Sequence, residues 1–217
     1  MENVIQIKNL YKKIKKKVIL QNINLTINKN KIYGFSGPNG SGKTMTFKVI
    51  LGFVRPTSGK IVVNNEEIRK DTLFAQDVGF SITEYGPLIH KTAQENLELL
   101  ALLGKHNSEK IPQLLSYVGL KPDDKRKVKE FSLGMKQRLS IAMALIGDAD
   151  ILIFDEPTNA LDEEGQQFLL SMLKDQKKLG KTILISSHDK NFLTEIADKI
   201  FVYSNGSIIR EEEISEK

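Results

Sequence analysis

The chain contains no cysteine. That excludes a disulfide framework and any thiolate-held zinc or iron–sulfur centre, and it suits a reducing compartment. It has no tryptophan, and its three histidines, His90, His106 and His188, do not cluster at metal-ligand spacing. No apolar run reaches the ~18 residues that a membrane-spanning helix needs. The N-terminus, Met1-Glu2-Asn3-Val4, lacks a basic patch followed by a long apolar stretch. No signal peptide is therefore expected, and the cytoplasm is the expected location. Internal repeats and low-complexity stretches are also missing.

What is present is a globular composition. The chain has 217 residues, 40% apolar and 27% charged. That is enough apolar surface for a real core and enough length for one or two domains at ~150 residues each. The net charge is +5, and the excess is local. Lys12, Lys13, Lys15, Lys16 and Lys17 crowd together, whereas the C-terminal tail carries Glu211, Glu212, Glu213 and Glu216. A modest basic excess suits anionic ligands, an anionic membrane face or nucleic acid. The lysine run itself reads as a solvated hairpin turn.

Hydrophobic patterning alternates between two regimes. Val4, Ile5 and Ile7 open a β region. Ile23, Leu25 and Ile27 continue it with period two, and Ile32–Phe35 runs into a glycine-rich turn. A helix is expected over 44–51, stopped by Gly52, with strands at Ile61–Val63 and Val78–Ile82. The middle is helical. Thr92-Ala93-Gln94-Glu95 forms a capping box before an apolar run ending at Gly104. Ser108 is expected to cap a second helix, broken by Lys121-Pro122, and Ser132 opens a third that stops at Gly147. Then β returns. Ile151–Phe154 and Thr182–Ile185 are continuous apolar runs, as in strands buried on both faces. A helix lies between them. A short helix at 192–197 follows, and Asn205-Gly206 is a hairpin turn between Ile200–Tyr203 and Ile208-Ile209. One domain is expected over 1–217. Its α/β core would comprise residues 1–83 and 148–217, interrupted by a helical insert over 84–147.

Gly37-Pro38-Asn39-Gly40-Ser41-Gly42-Lys43-Thr44 fits the phosphate-binding pattern G-x-x-x-x-G-K-[ST], with a strand before it and a helix after it. Glycines let backbone N–H groups curl around phosphates, and the helix N-terminus adds partial positive charge. Lys43 would reach the β- and γ-phosphates, and the Thr44 hydroxyl would ligate Mg²⁺. Such a loop needs an acidic partner. Asp155 and Glu156 follow the apolar run Ile151–Phe154, at the strand end where open α/β sheets bind ligands. Asp155 would hold Mg²⁺. Glu156 is placed to polarise an attacking water.

Phe131-Ser132-Leu133-Gly134-Met135-Lys136-Gln137-Arg138 resembles the signature of the ATP-binding cassette family, usually written LSGGQ. Asp155-Glu156-Pro157-Thr158-Asn159-Ala160-Leu161-Asp162 resembles its Walker B motif and D-loop, and Ser186-Ser187-His188-Asp189 its switch histidine. The motifs come in the family's order and cover essentially the whole chain. The resemblance implies a P-loop NTPase (RecA-like) core with an N-terminal antiparallel β subdomain and an inserted helical subdomain. It implies an ATPase whose ATP lies between one subunit's P-loop and the signature of a second nucleotide-binding subunit, another copy or a close relative. Ser132 and Gly134 would then touch the γ-phosphate held by the partner. His188 would sense the γ-phosphate with Glu156 as catalytic base, and Asp162 would bridge the two sites. A separate transmembrane permease is the expected partner, with the chain peripheral on the inner face of the cell membrane; nucleic acid is not.

Three departures from the family pattern qualify this. Ile14 falls where family members usually stack an aromatic on adenine, leaving Tyr11, or Tyr33, as the base-stacking candidate. The loop glutamine after Val78–Ile82 is absent, with Thr83 and Glu84 in its place. Glu84-Tyr85-Gly86-Pro87 resembles the glutamate-bearing loop of cassettes for bacteriocin and lantibiotic immunity, and a carboxylate there suits Mg²⁺. The signature reads Ser-Leu-Gly-Met, a variant that resembles the antibiotic and peptide exporter branch. Export of a peptide or antibiotic, or immunity to one, is therefore expected. The alternative is a soluble cassette ATPase in DNA repair or translation. Such chains usually add a coiled coil, zinc modules or a second cassette, and no heptad array or cysteine occurs here.

Overall fold

The computed structural model describes residues 2–159 and 161–214. Ala160 of the D-loop motif and Glu216 of the acidic tail lie outside them. Two sheets share one apolar filling. The chain starts with β1 (Asn3–Ile14) and β2 (Lys17–Asn28), an antiparallel pair turned at Lys15-Lys16. The lysine run therefore is a hairpin tip. β3 (Ile32–Ser36) enters the second sheet, and α1 (Lys43–Ile50) follows the glycine loop. β4 (Ser58–Val63) and β5 (Glu66–Glu67) return to the first sheet, whose strand order is β2-β1-β4-β5.

β6 (Val78–Ser81) is an edge strand of the second sheet. A single 3₁₀ turn at Thr83–Tyr85 leads into the helical insert: α2 (Ala93–Gly104), α3 (Ile111–Tyr117) and α4 (Leu133–Leu145). The capping box forms as the sequence requires, with the Thr92 hydroxyl accepting from Glu95 N and the Glu95 carboxylate accepting from Thr92 N. Ser108 does not cap the second helix. Ser108 lies in a 3₁₀ turn, Ser108–Lys110, capped by Asn107, whose side-chain carbonyl accepts from Glu109 N at 2.9 Å, and α3 follows from Lys110 with no side-chain cap. Nor does Lys121-Pro122 end that helix. Gly119, at φ +75°, turns the chain first. A residue without a Cβ adopts that left-handed conformation cheaply.

β7 (Ile151–Phe154), α5 (Glu163–Lys178), β8 (Thr182–Ser187), α6 (Lys190–Ile196), β9 (Lys199–Ser204) and β10 (Ser207–Glu213) complete the chain. The second sheet runs β10-β9-β3-β8-β7-β6, all parallel except the β9–β10 hairpin. The acidic tail is part of that hairpin, where Lys199 pairs with Glu211 and Glu213.

Continuous apolar strands are used on both faces. Leu152, Phe154, Ile183 and Ile185 point into a core shared with the insert helices, α5 and α6. Ile151, Ile153 and Leu184 point into a core shared with α1 and the antiparallel sheet. Burying each such side chain contributes roughly 1.5–3 kcal/mol. Phe47 of α1 meets the Phe35 ring edge-on at 4.8 Å, and Phe35 lies 5.4 Å from Phe201. These contacts hold the helix that follows the glycine loop firmly against β3.

Candidate functional site

β3, β8 and β7 are adjacent and parallel, so their C-terminal ends converge. The glycine loop leaves β3, Asp155 and Glu156 leave β7, and His188 follows β8. The loop's conformation depends on its glycines. Gly37 and Gly42 have φ of +146° and +115°. A Cβ on Gly37 would meet Tyr203 O at 2.4 Å, and one on Gly42 the Leu20 side chain at 2.7 Å. Gly42 opens α1 with no side-chain cap, which leaves the first N–H groups of the helix available to a ligand.

A cavity of about 280 Å³ lies over this loop. Asn39 through Thr44 line it, with Ile19, Met45, Lys48, Glu84 and Glu156. Pro38 lies beneath it, its carbonyl accepting from Ser41 N and from Lys43 Nζ. The Ser41 hydroxyl is buried with no hydrogen-bond partner. Lys43, 4% exposed, donates to Gly37 O at 2.6 Å and lies 3.2 Å from Glu156 Oε1. That approach is an ion pair without hydrogen-bond alignment, so this Glu156 oxygen has no donor. A buried ammonium, an orphaned hydroxyl and uncapped amides together fit a phosphate chain.

The acidic side of the cavity is wired through one serine. Ser186 Oγ donates to Asp155 Oδ1 at 2.7 Å and accepts from Glu156 N at 2.8 Å. Thr44 Oγ1 donates to Asp155 Oδ2 at 2.8 Å. Burial pushes the Asp155 carboxyl above the usual carboxylate range, against the pull of these two donors. Glu156 has φ +49°, a strained conformation for a residue with a side chain. Its other oxygen, Oε2, accepts from His188 N at 3.2 Å and lies 3.0 Å from His188 Nδ1, so a protonated Nδ1 donates to it. Glu156 thus sits between Lys43 and His188. Thr44 and Asp155 are joined as oxygen donors of the kind a hard divalent cation takes, and Glu84 lines the same cavity as Thr44.

The fold brings most of the sequence-predicted residues together and leaves others apart. Glu84 reaches the cavity, with its carboxylate 2.5 Å from Lys48 Nζ. Ser132 and Gly134 lie on the insert, outside this cavity. Ser132 caps α4, its hydroxyl accepting from Met135 N, and Leu133 beside it is exposed. Asp162 caps α5 by accepting from Gly165 N. Tyr11 lies on β1 opposite Ser58, outside the lining of this phosphate cavity; the apolar residue brought there is Ile19 of β2. Tyr33 does not offer a face for base stacking, since it is 2% exposed and its hydroxyl accepts from Asn28 N inside the core.

Ser186, Lys48 and Ile19 were not singled out from sequence. A signal for Ser186 existed. Phe154 pairs with Ile185, so the next residues, Asp155 and Ser186 of β8, fall alongside each other, and the serine faces Asp155. A second cavity, about 570 Å³, runs between the edge strand and the insert, with Phe80, Tyr85, Leu103 and Met143 among its walls.

Comparison with known proteins agrees with this geometry. The ABC transporter family model matches residues 20–159. The chain is 42% identical to the ABC transporter ATP-binding protein YybJ of Bacillus subtilis, over 97% of both chains. It is 43% identical to the lantibiotic transport ATP-binding protein SrtF of Streptococcus pyogenes, covering 97% of this chain and 91% of that one. Identity to the bacitracin transport ATP-binding protein BcrA of Bacillus licheniformis is 35%, covering 97% and 70%. A dimeric ATP-binding cassette in a post-hydrolysis state bound to ADP and Pi matches with a TM-score of 0.88, at 26% identity over 98% of this chain and 100% of that one.

Proposed function

We propose that this chain, which belongs to the ABC transporter family and is one of its ATP-binding, ATP-hydrolysing subunits, drives a separate transmembrane permease at the inner face of the cell membrane. The cargo is a peptide antibiotic that the cell exports or is protected from. The observation that carries this reading is the placement of Glu84 and Tyr85. These neighbours open onto the phosphate cavity and onto the apolar inter-lobe groove respectively. Similarity to SrtF and BcrA along nearly the whole chain supports the cargo class. Among the described residues no helix is long and apolar enough to cross a membrane, so the permease is a separate protein or a separate part. The groove, walled by Tyr85 and Leu103, is where it docks.

Thr44, Asp155 and Glu84 would hold Mg²⁺, which when bound supplies positive charge against the phosphates. Lys43 trades the Gly37 carbonyl and the Glu156 carboxylate for phosphate oxygens. The trade frees Glu156 from its counter-charge, so it can take a proton from the attacking water. His188 keeps the carboxylate oriented from its exposed side. Ser132 and Gly134, remote from this chain's own cavity, serve the ATP of a second nucleotide-binding subunit, with the N-terminus of α4 aimed at the γ-phosphate.

A tagged Glu156→Gln form, expressed in the native host and recovered from gently solubilised membranes with ATP, tests this. A stoichiometric multi-helix membrane protein is the expected companion. Recovery of soluble protein, nucleic acid or ribosomes alone would overturn the transport reading. Deleting the chain should also sensitise the host to a peptide antibiotic, and unchanged sensitivity across a panel would remove the cargo assignment.

A further inference from the structure

Two cavities meet at one short turn, and a single lysine touches both sides of it. Lys48 lies one helical turn beyond Thr44 on α1. Its Nζ is 2.5 Å from Glu84 Oε2 and 5.9 Å from the centre of the Tyr85 ring. The Tyr85 ring meets Phe53 edge-on at 4.8 Å. Phe53 N in turn donates to Lys48 O at 2.9 Å. The contacts form a closed circuit: α1, the loop after it, the 3₁₀ turn, and back to α1.

Burial gives the circuit its stiffness. Lys48 is 8% exposed, whereas the Glu84 side chain is 64% exposed. Among the described residues Glu84 is the one ion-pair partner of this ammonium. A buried charge without a partner is costly. A shift of the Glu84 carboxylate toward a cation carried by the phosphates would therefore draw Lys48 along, or leave its charge on the Tyr85 ring alone. In both cases Tyr85 changes its surroundings at the wall of the groove.

We infer that Lys48 is a positioning residue that ties the Glu84 carboxylate at the phosphate cavity to the Tyr85 ring at the inter-lobe groove, so that filling the first alters the second. This deepens the reading above, in which the groove receives the permease. It assigns the link to a residue of α1 that lines the phosphate cavity and faces the Tyr85 ring of the groove wall.

The absence of tryptophan makes the link observable. Tyr85→Trp places the chain's single tryptophan at the wall of the groove, where it is excited apart from the remaining tyrosines. Its emission is recorded before and after adding a non-hydrolysable ATP analogue with Mg²⁺, while calorimetry measures the affinity for the same analogue. The expected result, with each chain read at saturating analogue as set by its own calorimetric affinity, is an emission change in the reporter chain, loss of at least half of it with Lys48→Met, and retention with Lys48→Arg. A full emission change in Lys48→Met overturns the inference, as does a silent reporter in a chain that binds the analogue. Failure of the reporter chain to bind the analogue would instead refute the nucleotide site itself. Should Lys48→Met not fold by circular dichroism, Lys48→Gln keeps a neutral donor in the same space, and the same outcomes decide.

Discussion

Replacing Ser186 by alanine separates the role of this serine from that of the P-loop. The hydroxyl is fully buried and makes two hydrogen bonds, one from Glu156 N and one to Asp155 Oδ1. Its loss strands a buried amide and a buried carboxylate oxygen. An unsatisfied buried group costs about 1–3 kcal/mol, and more when charged. Asp155 keeps the Thr44 donor, and a water can occupy part of the space, so the net loss should be about 2–4 kcal/mol. For a chain of this length that is a fall in Tm of roughly 4–16 °C. Catalysis should suffer separately. The Ser186 bond anchors the left-handed backbone of Glu156, and without it the carboxylate drifts from its place between Lys43 and His188. Lys43 and the glycine loop are untouched, so nucleotide affinity should hold while kcat falls. The assays are thermal unfolding, calorimetric titration with a non-hydrolysable ATP analogue, and steady-state phosphate release. Ser187→Ala is the control, because Ser187 accepts from Asp189 N and approaches Thr158 without touching either acid. A Ser186→Ala chain with parental Tm and parental kcat would refute the reasoning.

Other outcomes follow from the same geometry. Glu156→Gln should keep nucleotide binding and slow hydrolysis by a general-base factor of roughly 10²–10⁴ in single-turnover assays; unchanged turnover would remove Glu156 from the chemistry. Lys43→Ala should abolish tight nucleotide binding in a calorimetric titration, since the phosphates lose their buried charge partner; undiminished affinity would refute the P-loop role. Asp155→Asn should stabilise the nucleotide-free chain at neutral pH while abolishing Mg²⁺-dependent hydrolysis. The sign comes from burial, which raises the Asp155 pKa in the fold. The favourable protonated form is fully present below the unfolded carboxylate range and is lost as pH rises through the higher folded value, so at neutral pH the ionised group is a cost. Urea unfolding with pH would show the parent gaining stability relative to Asp155→Asn on acidification, and parallel curves would contradict it.

Much of this site was legible because its chemistry lies in contiguous motifs. Gly37 to Thr44 specifies a loop by glycine position alone. Ile151–Phe154 followed by two acids specifies a buried strand with its charges at the open end. The strands flanking them read equally well, because a run of apolar residues has few other uses at that length. Helix ends read less well. Ser108 is not a helix cap because a 3₁₀ turn, capped by Asn107, intervenes before α3, and only the local backbone decides which side-chain oxygen reaches an N–H. The base-stacking position is a related case. Matching along the chain puts Ile14 there, with Tyr11 as the substitute, but β1 carries register shifts around residues 8 to 12, so sequence spacing alone does not say which of its side chains share a face.

Lys48 marks the point where reading by motif stops. In sequence it is one more lysine in a chain with 32 basic residues, on a helix whose exposed face would hold it without comment. Nothing in the spacing of Lys48 and Glu84 distinguishes that pair from many others. What distinguishes it is burial of one partner and not of the other, a property of the packed sheet, loop and helix together. The asymmetry also has a functional sense. The exposed carboxylate is free to change partners, while the buried ammonium is not. A site that must report its occupancy to a neighbouring groove needs one of each.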